Sequence, residues 1–543
     1  MTPPNPSRPP SSSDLEHNNR SSSDSNRARL PEDEREVDLD KLGRQRPPAF
    51  PNTITEVLFG ISLLISIFMA EFFISGFNII LPSISEALEI PQASQIWPSS
   101  VFSLVAGAFL LPMGRLADIQ GGYWVFNFGL VWFTVWCLVS GFSTNYTMLI
   151  VTRALGGLGA AAFLPTGIML MGKLYRPGPR KNLVFGLYSA FAPIGFFLGI
   201  IIGGLTTEYI SWRWYFFIGS MILGVTCAVA FVTIPNDRES TRKENAHVRM
   251  DWWGVVTIVP ALILTTFAIT DGAHAPGGWK SPYIIVTFVV GILLLGAAVY
   301  IEGWVADQPL LPFDLFAPKY MGRFAVALFF AYGIFGIFLF YASFQISVTM
   351  GQSAITTAVW FAPMAIGGIF LATVGGFTLH LLPGRLLLII SALGSLACAL
   401  LFAFMPADGS FWAWVFPAML GATIGIDITF VVSNVFITAS IARERQGLAG
   451  ALINSLLFLG ISFFLGLSDL AVSEDEKRGG TEGHKVAFWF ATACAAVVLL
   501  IFMTIKVGKA ESDLTLEEKA EKEKAEKERL EEERRRAAEP ESA

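Results

Sequence analysis

The chain has 543 residues, of which 53% are hydrophobic and only 15% are charged. Soluble domains carry about 25% charged residues, so this composition excludes a set of ordinary soluble domains. The formal net charge of −6 belongs to the ends and the loops, and no basic stripe is available to neutralise phosphates. Nucleic acid is therefore not an expected partner.

Polar and charged residues dominate both ends of the chain. Residues 1–53 lack the compact apolar core of a signal peptide, and their composition predicts a disordered cytosolic tail. Residues 506–543 form a second charged cytosolic tail. Its segment 516–536 pairs Glu with Lys and Arg at helical spacing but has no apolar seam, which predicts a solvated charged helix. Binding of a partner by this tail stays open.

Between the tails, apolar segments alternate with short polar loops. At about 1.5 Å per residue, each segment is long enough to cross about 30 Å of hydrocarbon. The predicted spans are 54–82, 96–113, 123–142, 148–171, 183–205, 214–234, 254–271, 282–302, 323–349, 356–380, 386–405, 412–438, 448–468 and 486–505. The seventh is short and contains Pro260. If it does not cross the membrane, the eighth does not either, because the longer flanking stretches require an even number of crossings. The sequence thus predicts an all-α membrane protein with about fourteen transmembrane helices.

Loop charge predicts the orientation of these spans, because Lys and Arg in short loops are retained on the cytosolic side. With the N-terminus inside, the cytosolic loops collect fourteen Lys and Arg residues and the opposite loops collect five. Both termini are therefore expected in the cytosol. The cell membrane is the expected location, with the vacuolar membrane as the alternative.

Several kinds of chemistry are not expected. The four cysteines lie inside apolar runs, which predicts small buried side chains and neither a disulfide framework nor a metal site. There is no GxxxxGK[ST] phosphate loop and no HExxH motif, so we expect no nucleotide hydrolysis, no metal, no cofactor and no enzyme activity.

The loop between the second and third spans reads GRLADIQGG, beginning at Gly114. Glycines permit a tight turn, and an Asp just past a helix end can bond backbone donors. This loop, with Gly114, Asp118 and Gly121, resembles the gating loop of the major facilitator superfamily. The basic pair usual at its end is replaced by Gly122 and Tyr123, which leaves a salt-bridge gate without its cations.

A weaker echo of this motif occurs at 376–385, with His380 in place of the Asp. The superfamily core consists of two six-helix repeats, and the echo falls where the second copy is expected if helices seven and eight are an insertion. The implied organisation is a first six-helix bundle at 54–234, a central loop with two extra helices at 235–322, and a second bundle at 323–505.

Helix five carries a second motif, a glycine stripe with the spacing G-x8-G-x3-G-x3-GG. Its members are Gly186, Gly195, Gly199, Gly203 and Gly204. Small residues at every fourth position let another helix approach closely, so plain helix packing is one interpretation. The spacing also resembles the antiporter motif of drug:proton exporters, although Ile200 stands where that family has proline.

Further segments extend the resemblance. They are RALGGLGAA from Arg153, WRW from Trp212 and DWWG from Asp251. Together with the loop and the stripe, they resemble the fourteen-span drug:proton antiporter family and its fungal branch of aminotriazole-resistance and boron-export proteins. The resemblance covers residues 55 to 505.

Three charges lie inside predicted spans away from their ends: Glu71, Arg153 and Asp427. Each costs at least ~2.5 kcal/mol at a helix centre unless it is paired or solvated in a cavity. In the superfamily core, helices one, four, seven and ten line the cavity. Those are helices one, four, nine and twelve here, and all three charges fall on them. We expect Glu71 or Asp427 to be the proton-coupling acid and Arg153 to be its partner.

Polar residues at helical spacing accompany the charges and extend the expected substrate and proton pathway. The residues assigned to it are Asn78 on helix one, Gln345 on helix nine and Asn434 on helix twelve. The alternative for these neutral residues is hydrogen bonding between packed helices.

The resemblance implies a monomeric, proton-coupled exporter of small organic or toxic compounds that works by alternating access. Two alternatives stay open. One is a facilitated transporter of a small solute such as ammonium or boric acid, and the other is a non-transporting membrane receptor that keeps the fold.

Overall fold

The computed structural model describes residues 45–176, 179–378, 382–440, 446–477 and 483–506. Within these ranges the chain is helical and contains no β-strand. Fourteen of the helices are long and apolar enough to cross a membrane, so all fourteen predicted spans are confirmed. The charged segment 516–536, His380 and most of the N-terminal tail lie outside the described residues.

The membrane helices are numbered α1 to α14 in chain order. They are Thr53–Ala87, Trp97–Gln120, Gly122–Gly141, Tyr146–Leu174, Pro179–Tyr209, Trp212–Thr233, Trp252–Gly272, Pro282–Tyr300, Met321–Phe344, Ala354–Thr378, Gly384–Phe404, Phe416–Ala439, Gln446–Lys477 and Gly483–Thr504. Several extend one or two turns beyond the predicted spans, because the helix continues into polar residues that the apolar stretch does not include. A short helix, Arg238–Glu244, lies between α6 and α7.

Side-chain caps fix where several helices begin. Asn52 and Asn145 each accept a hydrogen bond from a backbone N–H three residues ahead, at 2.7 and 2.8 Å, at the starts of α1 and α4. Asp251 does the same for Gly254 N at the start of α7, at 2.9 Å. Each cap satisfies one of the free N–H groups of a helix N-terminus.

The helices form two six-helix halves, α1–α6 and α9–α14, that meet along two seams. Helix α2 packs on α13, and α5 packs on α10. We call the side of the molecule on which α1 begins the N-terminal face, and the other side the opposite face.

The inserted pair, α7 and α8, lies against one of these seams. Helix α7 contacts both α2 and α13, so it touches each half of the core. The ring centroids of Trp97 and Phe267 lie 5.5 Å apart with their planes tilted, and His274 Nε2 lies 2.8 Å from Asp469 Oδ2. The insertion thus contacts both halves where they meet, near the opposite face.

The turn between α2 and α3 differs from the expected loop. Helix α2 continues to Gln120, so Asp118 lies in its last turn instead of beyond its end. Gly121 alone separates the two helices, and its φ of 91° lies in the left-handed region that favours glycine. The backbone N–H groups of Gly122 and Tyr123 each donate to the Asp237 carboxylate at 3.0 Å. Asp237 thus holds the turn where the family has its basic pair.

Candidate functional site

A cavity of about 1440 Å³ lies between the two halves. Helices α1, α4 and α5 line it from the first half, and α10, α12 and α13 line it from the second. Its mouth is at the N-terminal face, where Arg115, Lys173 and Lys181 belong to the lining. A space of this size, walled by two bundles, is the arrangement in which secondary transporters bind their substrates.

The opposite face is closed by contacts between the halves. Gln92 Nε2 donates to Glu476 Oε1 at 2.7 Å, and the Ser100 and Ser462 hydroxyls lie 2.7 Å apart. Along the other seam, a Cβ at Gly204 would stand 2.6 Å from Ala358 Cβ. The cavity therefore connects with one face of the molecule and not with the other.

Two acidic side chains line the interior of the cavity: Glu71 of α1 and Asp427 of α12. Both are half-buried, and both line the same cavity. Within the described residues, neither carboxylate has a hydrogen-bond partner or an ion pair. Two carboxylates in one cavity, neither of them paired with a cation, are costly to keep charged together, so this pair is suited to binding a proton.

Other polar groups share the lining. Asn434, expected in the pathway, lines the cavity and donates to Phe430 O at 2.8 Å. Tyr188 and Asn454 also line it, and the sequence had not indicated them. Tyr188 could have been found from its spacing, because it lies seven residues before Gly195 and so shares the face that meets α1.

Two expected pathway residues do not line the cavity. Asn78 is buried between helices, where it donates to Ile74 O at 2.8 Å and accepts from the Ser99 hydroxyl at 2.9 Å. Gln345 is buried in the turn that continues α9. Helical spacing predicts a shared polar face but not what that face meets, and the face of Asn78 meets α2 instead of the cavity.

Arg153 also lies away from both carboxylates. Its Nε donates to Pro98 O at 3.1 Å, and a terminal nitrogen donates to Phe73 O at 3.3 Å. The guanidinium stacks 3.9 Å from the centroid of Phe77. The expected ion pair with Glu71 or Asp427 is absent. Two backbone carbonyls and an aromatic ring bind the guanidinium instead.

The glycine stripe of α5 packs on the segment of α1 that carries Glu71. A Cβ at Gly199 would stand 2.5 Å from Phe72 O, and one at Gly203 would stand 3.1 Å from Gly76 O. Gly195 meets the backbone of Phe68 in the same way. Gly186 has open space and lines the cavity instead. The middle of the stripe thus brings two backbones together beside the acid.

A parallel arrangement surrounds Asp427. Its Oδ2 would stand 3.0 Å from a Cβ at Gly368, and a Cβ at Gly367 would meet Thr423 Cγ2 at 2.9 Å. Each cavity acid is therefore carried on a helix that a glycine-bearing neighbour approaches closely. Gly114 and Asp118 of the gating loop line the mouth of the same cavity.

Comparison with known proteins identifies relatives of this architecture. The sequence profile of the Major Facilitator Superfamily matches residues 63–465. The chain is 30% identical to "Efflux pump terJ" of Aspergillus terreus over 81% of this chain and 86% of that protein. It is also 30% identical to the "Aminotriazole resistance protein" of Saccharomyces cerevisiae, covering 84% and 85%. The "Low affinity ammonium transporter" of the same yeast matches at 30%, covering 75% and 80%.

Solved structures agree on the fold. A peptide transporter of the POT family superposes with a TM-score of 0.60 at 15% identity, covering 84% of this chain and 99% of that one. The nucleoside transporter NupG superposes with a TM-score of 0.56 at 13% identity, covering 83% and 98%. The efflux-pump and aminotriazole-resistance relatives fit the resemblance to drug:proton antiporters and their fungal branch. The chain belongs to the Major Facilitator Superfamily and is a membrane transporter, not an enzyme.

Proposed function

We propose that this protein exports small organic compounds in exchange for protons. The observation that carries the proposal is the pair of unpartnered carboxylates, Glu71 and Asp427, in a single cavity between the two halves. No described basic side chain neutralises either one, and Arg153 is engaged elsewhere. A proton is then the species that can neutralise them and that leaves when the cavity changes its access.

The walls of the cavity support an organic substrate. Phe185, Phe196, Phe335 and Phe430 contribute to a lining that also holds Met and branched aliphatic side chains. Ligand pockets for drug-sized molecules are typically ~300–1,000 Å³ and mostly apolar, and this cavity is larger still. A wide space with aromatic and aliphatic walls suits organic molecules of varied shape better than one small polar solute.

The side on which the cavity opens supports export. The N-terminal face corresponds to the side on which the sequence predicts fourteen Lys and Arg residues, which favours the cytosol for that face. The cavity would then load from the cytosol and, after the halves rock, release its contents on the other side. We further propose, from the resemblance to drug:proton antiporters alone, that the protein lies in the cell membrane and acts as a monomer.

A small-solute transporter is the second candidate. Similarity to the low affinity ammonium transporter of yeast favours it. Ammonium needs only a few carbonyl or carboxylate contacts, which Glu71 and Asp427 could supply. The breadth of the cavity favours the first candidate.

Transport in sealed vesicles tests the choice. Vesicles containing the purified chain, with the N-terminal face outward, are loaded at acidic pH and diluted into alkaline buffer with a panel of fluorescent organic dyes. Gradient-driven dye accumulation that a protonophore abolishes would support export by proton exchange. Accumulation of labelled ammonium analogue alone, with no dye moved, would favour the small-solute candidate.

A further inference from the structure

A second pair of acidic side chains meets in the inserted helices, away from the central cavity. Asp251 begins α7, and Glu302 lies in the π-helical turn that ends α8. Neither residue lines the cavity. They belong to the DWWG segment and to the end of the eighth span, for which the proposed transport mechanism has no role.

Each member of the pair uses one carboxylate oxygen and leaves the other without a partner. Asp251 Oδ1 accepts from Gly254 N at 2.9 Å, and Glu302 Oε2 accepts from Leu311 N at 2.9 Å. Asp251 Oδ2 and Glu302 Oε1 are both shielded from solvent and have no hydrogen-bond partner. Glu302 is 6% exposed, so water does not solvate its free oxygen.

The two free oxygens point at the same place. Both lie within 2.5 Å of the position that a Cβ would take at Gly254, and so within about 5 Å of each other. Glycine at that position is what allows the carboxylates to approach. A buried carboxylate oxygen with no partner is costly, and two charged carboxylates side by side are costlier, so neutralising one of them would lower that cost.

The surroundings favour a proton over a metal ion. Among the described residues, no third His, Cys, Asp or Glu joins the pair, and Ca²⁺ typically takes about six to eight oxygen ligands. The charged groups that act on Glu302 are Asp251 from α7 and Arg115 from α2. Arg115 forms no ion pair with either carboxylate within the described residues. A single proton on one of the two free oxygens would remove one of the two charges and supply a donor towards the other oxygen.

We propose that Asp251 and Glu302 share one proton, held between Glu302 Oε1 and Asp251 Oδ2, and form a proton-binding site separate from the central cavity. The proton enters from water at the N-terminal face, and one carboxylic acid then donates to the other carboxylate. The proposal concerns the inserted helices alone and holds whatever the transporter carries.

The site is connected to the gating loop by the segment that follows α8. Leu311 donates to Glu302, while the carbonyls of Gln308 and Pro309 accept from Arg115 at 3.1 and 3.4 Å. The Gln308 side chain also bonds the backbone of His247 and Arg249 at 2.8 and 2.9 Å. Loss of the shared proton would leave two negative charges beside the segment after α8, which also contacts Arg115 of the gating loop.

Thermal unfolding of the purified chain tests the proposal without any substrate. Circular dichroism follows the unfolding temperature of the parent, Glu302→Gln and Asp251→Asn between acidic and alkaline pH. Each amide supplies an N–H where the shared proton stood, so it should mimic the protonated pair. We expect parent and variants to unfold at similar temperatures at low pH. As pH rises, the parent should fall progressively below both variants.

Asp251→Asn keeps an oxygen that can accept the hydrogen bond from Gly254 N, so α7 retains its cap. This variant alone can be compared with the parent if Glu302→Gln does not fold. The double variant should lose no more pH dependence than either single variant, because one proton is at stake. Glu208→Gln, an exposed acid on the opposite face, should keep the parental profile. Identical pH profiles for the parent and both variants would overturn the proposal. So would stabilisation of the parent alone by added Mg²⁺, Ca²⁺ or K⁺ at fixed pH, which would make the pair a metal site.

Discussion

Gly199 of α5 lies directly against Phe72 of α1, so close that a Cβ on the glycine would stand 2.5 Å from the Phe72 carbonyl oxygen. The backbone at Phe72 is one residue beyond Glu71. The glycine stripe therefore fixes the position of the helix turn that carries a cavity acid. This one contact is consistent both with plain helix packing and with a role of the stripe in proton exchange.

Gly199→Ala is expected to destabilise the protein by about 1–3 kcal/mol, because the added methyl overpacks a contact between two backbones. Gly186→Ala is the matched control in the same motif. It adds a methyl in open space and removes the helix penalty of glycine, about 0.8–1.0 kcal/mol. Thermal unfolding in detergent measures both. Equal stability of the two variants would contradict the close approach of α1 and α5.

Glu71→Gln and Asp427→Asn keep the shape of the acids while removing their titrating protons. We expect at least one variant to reach the membrane at normal abundance and to lose gradient-driven export down to the level of vesicles without protein. Exchange of substrate without a gradient can persist, because binding and alternation do not require the proton to leave.

Asp307→Asn is the control for this pair, since Asp307 lines the mouth of the same cavity but is exposed. It should transport like the parent. If both cavity variants still concentrate substrate at the parental rate and with the parental pH dependence, the two acids are not the coupling site.

Arg153→Met removes the hydrogen bonds to Pro98 and Phe73 while roughly keeping the side-chain volume. Bonds to a charged donor contribute about 1.5–3 kcal/mol each, so the unfolding temperature and the abundance should fall. The molecules that do reach the membrane should keep the parental pH dependence of transport. If Arg153→Met instead lost the pH dependence of transport at normal abundance, Arg153 would belong to the proton pathway.

His274 and Asp469 give the opposite face a pH-dependent contact. The hydrogen bond that His274 donates to the Asp469 carboxylate raises the pKa of His274. Burial and Lys477 oppose this rise, while the charges of Asp469 and Asp271 add to it. The stability contributed by the protonated pair is fully present below the pKa of an unfolded His, about 6.5. It is lost as pH rises through the higher pKa of the folded protein.

His274→Gln should therefore lower the unfolding temperature at mildly acidic pH and have little effect at alkaline pH. His247→Gln, an exposed His on the N-terminal face, serves as its control. A penalty for His274→Gln that does not change with pH would mean that the imidazole acts only as a neutral hydrogen-bond partner.

Tags at either terminus should be inaccessible in intact cells if both tails are cytosolic. A tag on the other side belongs between Lys477 and Gly483, since α13 continues to Lys477 and an earlier insertion would break it. Surface labelling of an N-terminal tag would show that the orientation is the reverse of the one proposed.

Asn145 belongs to an Asn-Tyr-Thr sequence, which is an acceptor motif for N-glycosylation. Its side chain caps α4, so we expect no glycan there and no change of apparent mass in Asn145→Gln.

The sequence alone determined the fourteen spans, the family and the two cavity acids. Long apolar runs have few ways to fold in a bilayer, and a charge within such a run is too costly to be there without a role. Glu71 and Asp427 were therefore identifiable without a structure. The glycine spacing likewise predicted a close helix contact, though not which helix would fill it.

Only the tertiary structure decided what each polar face meets. Helical spacing groups Asn78 with Glu71, but packing turns Asn78 towards Ser99 of α2 and leaves Glu71 in the cavity. Arg153 was assigned to the acids by charge, yet nearer carbonyls and an aromatic ring hold it. The Asp251–Glu302 pair joins residues from two helices, and no local pattern encodes such a meeting. Spacing along one helix specifies a shared face, whereas the neighbour of that face depends on how all the helices pack.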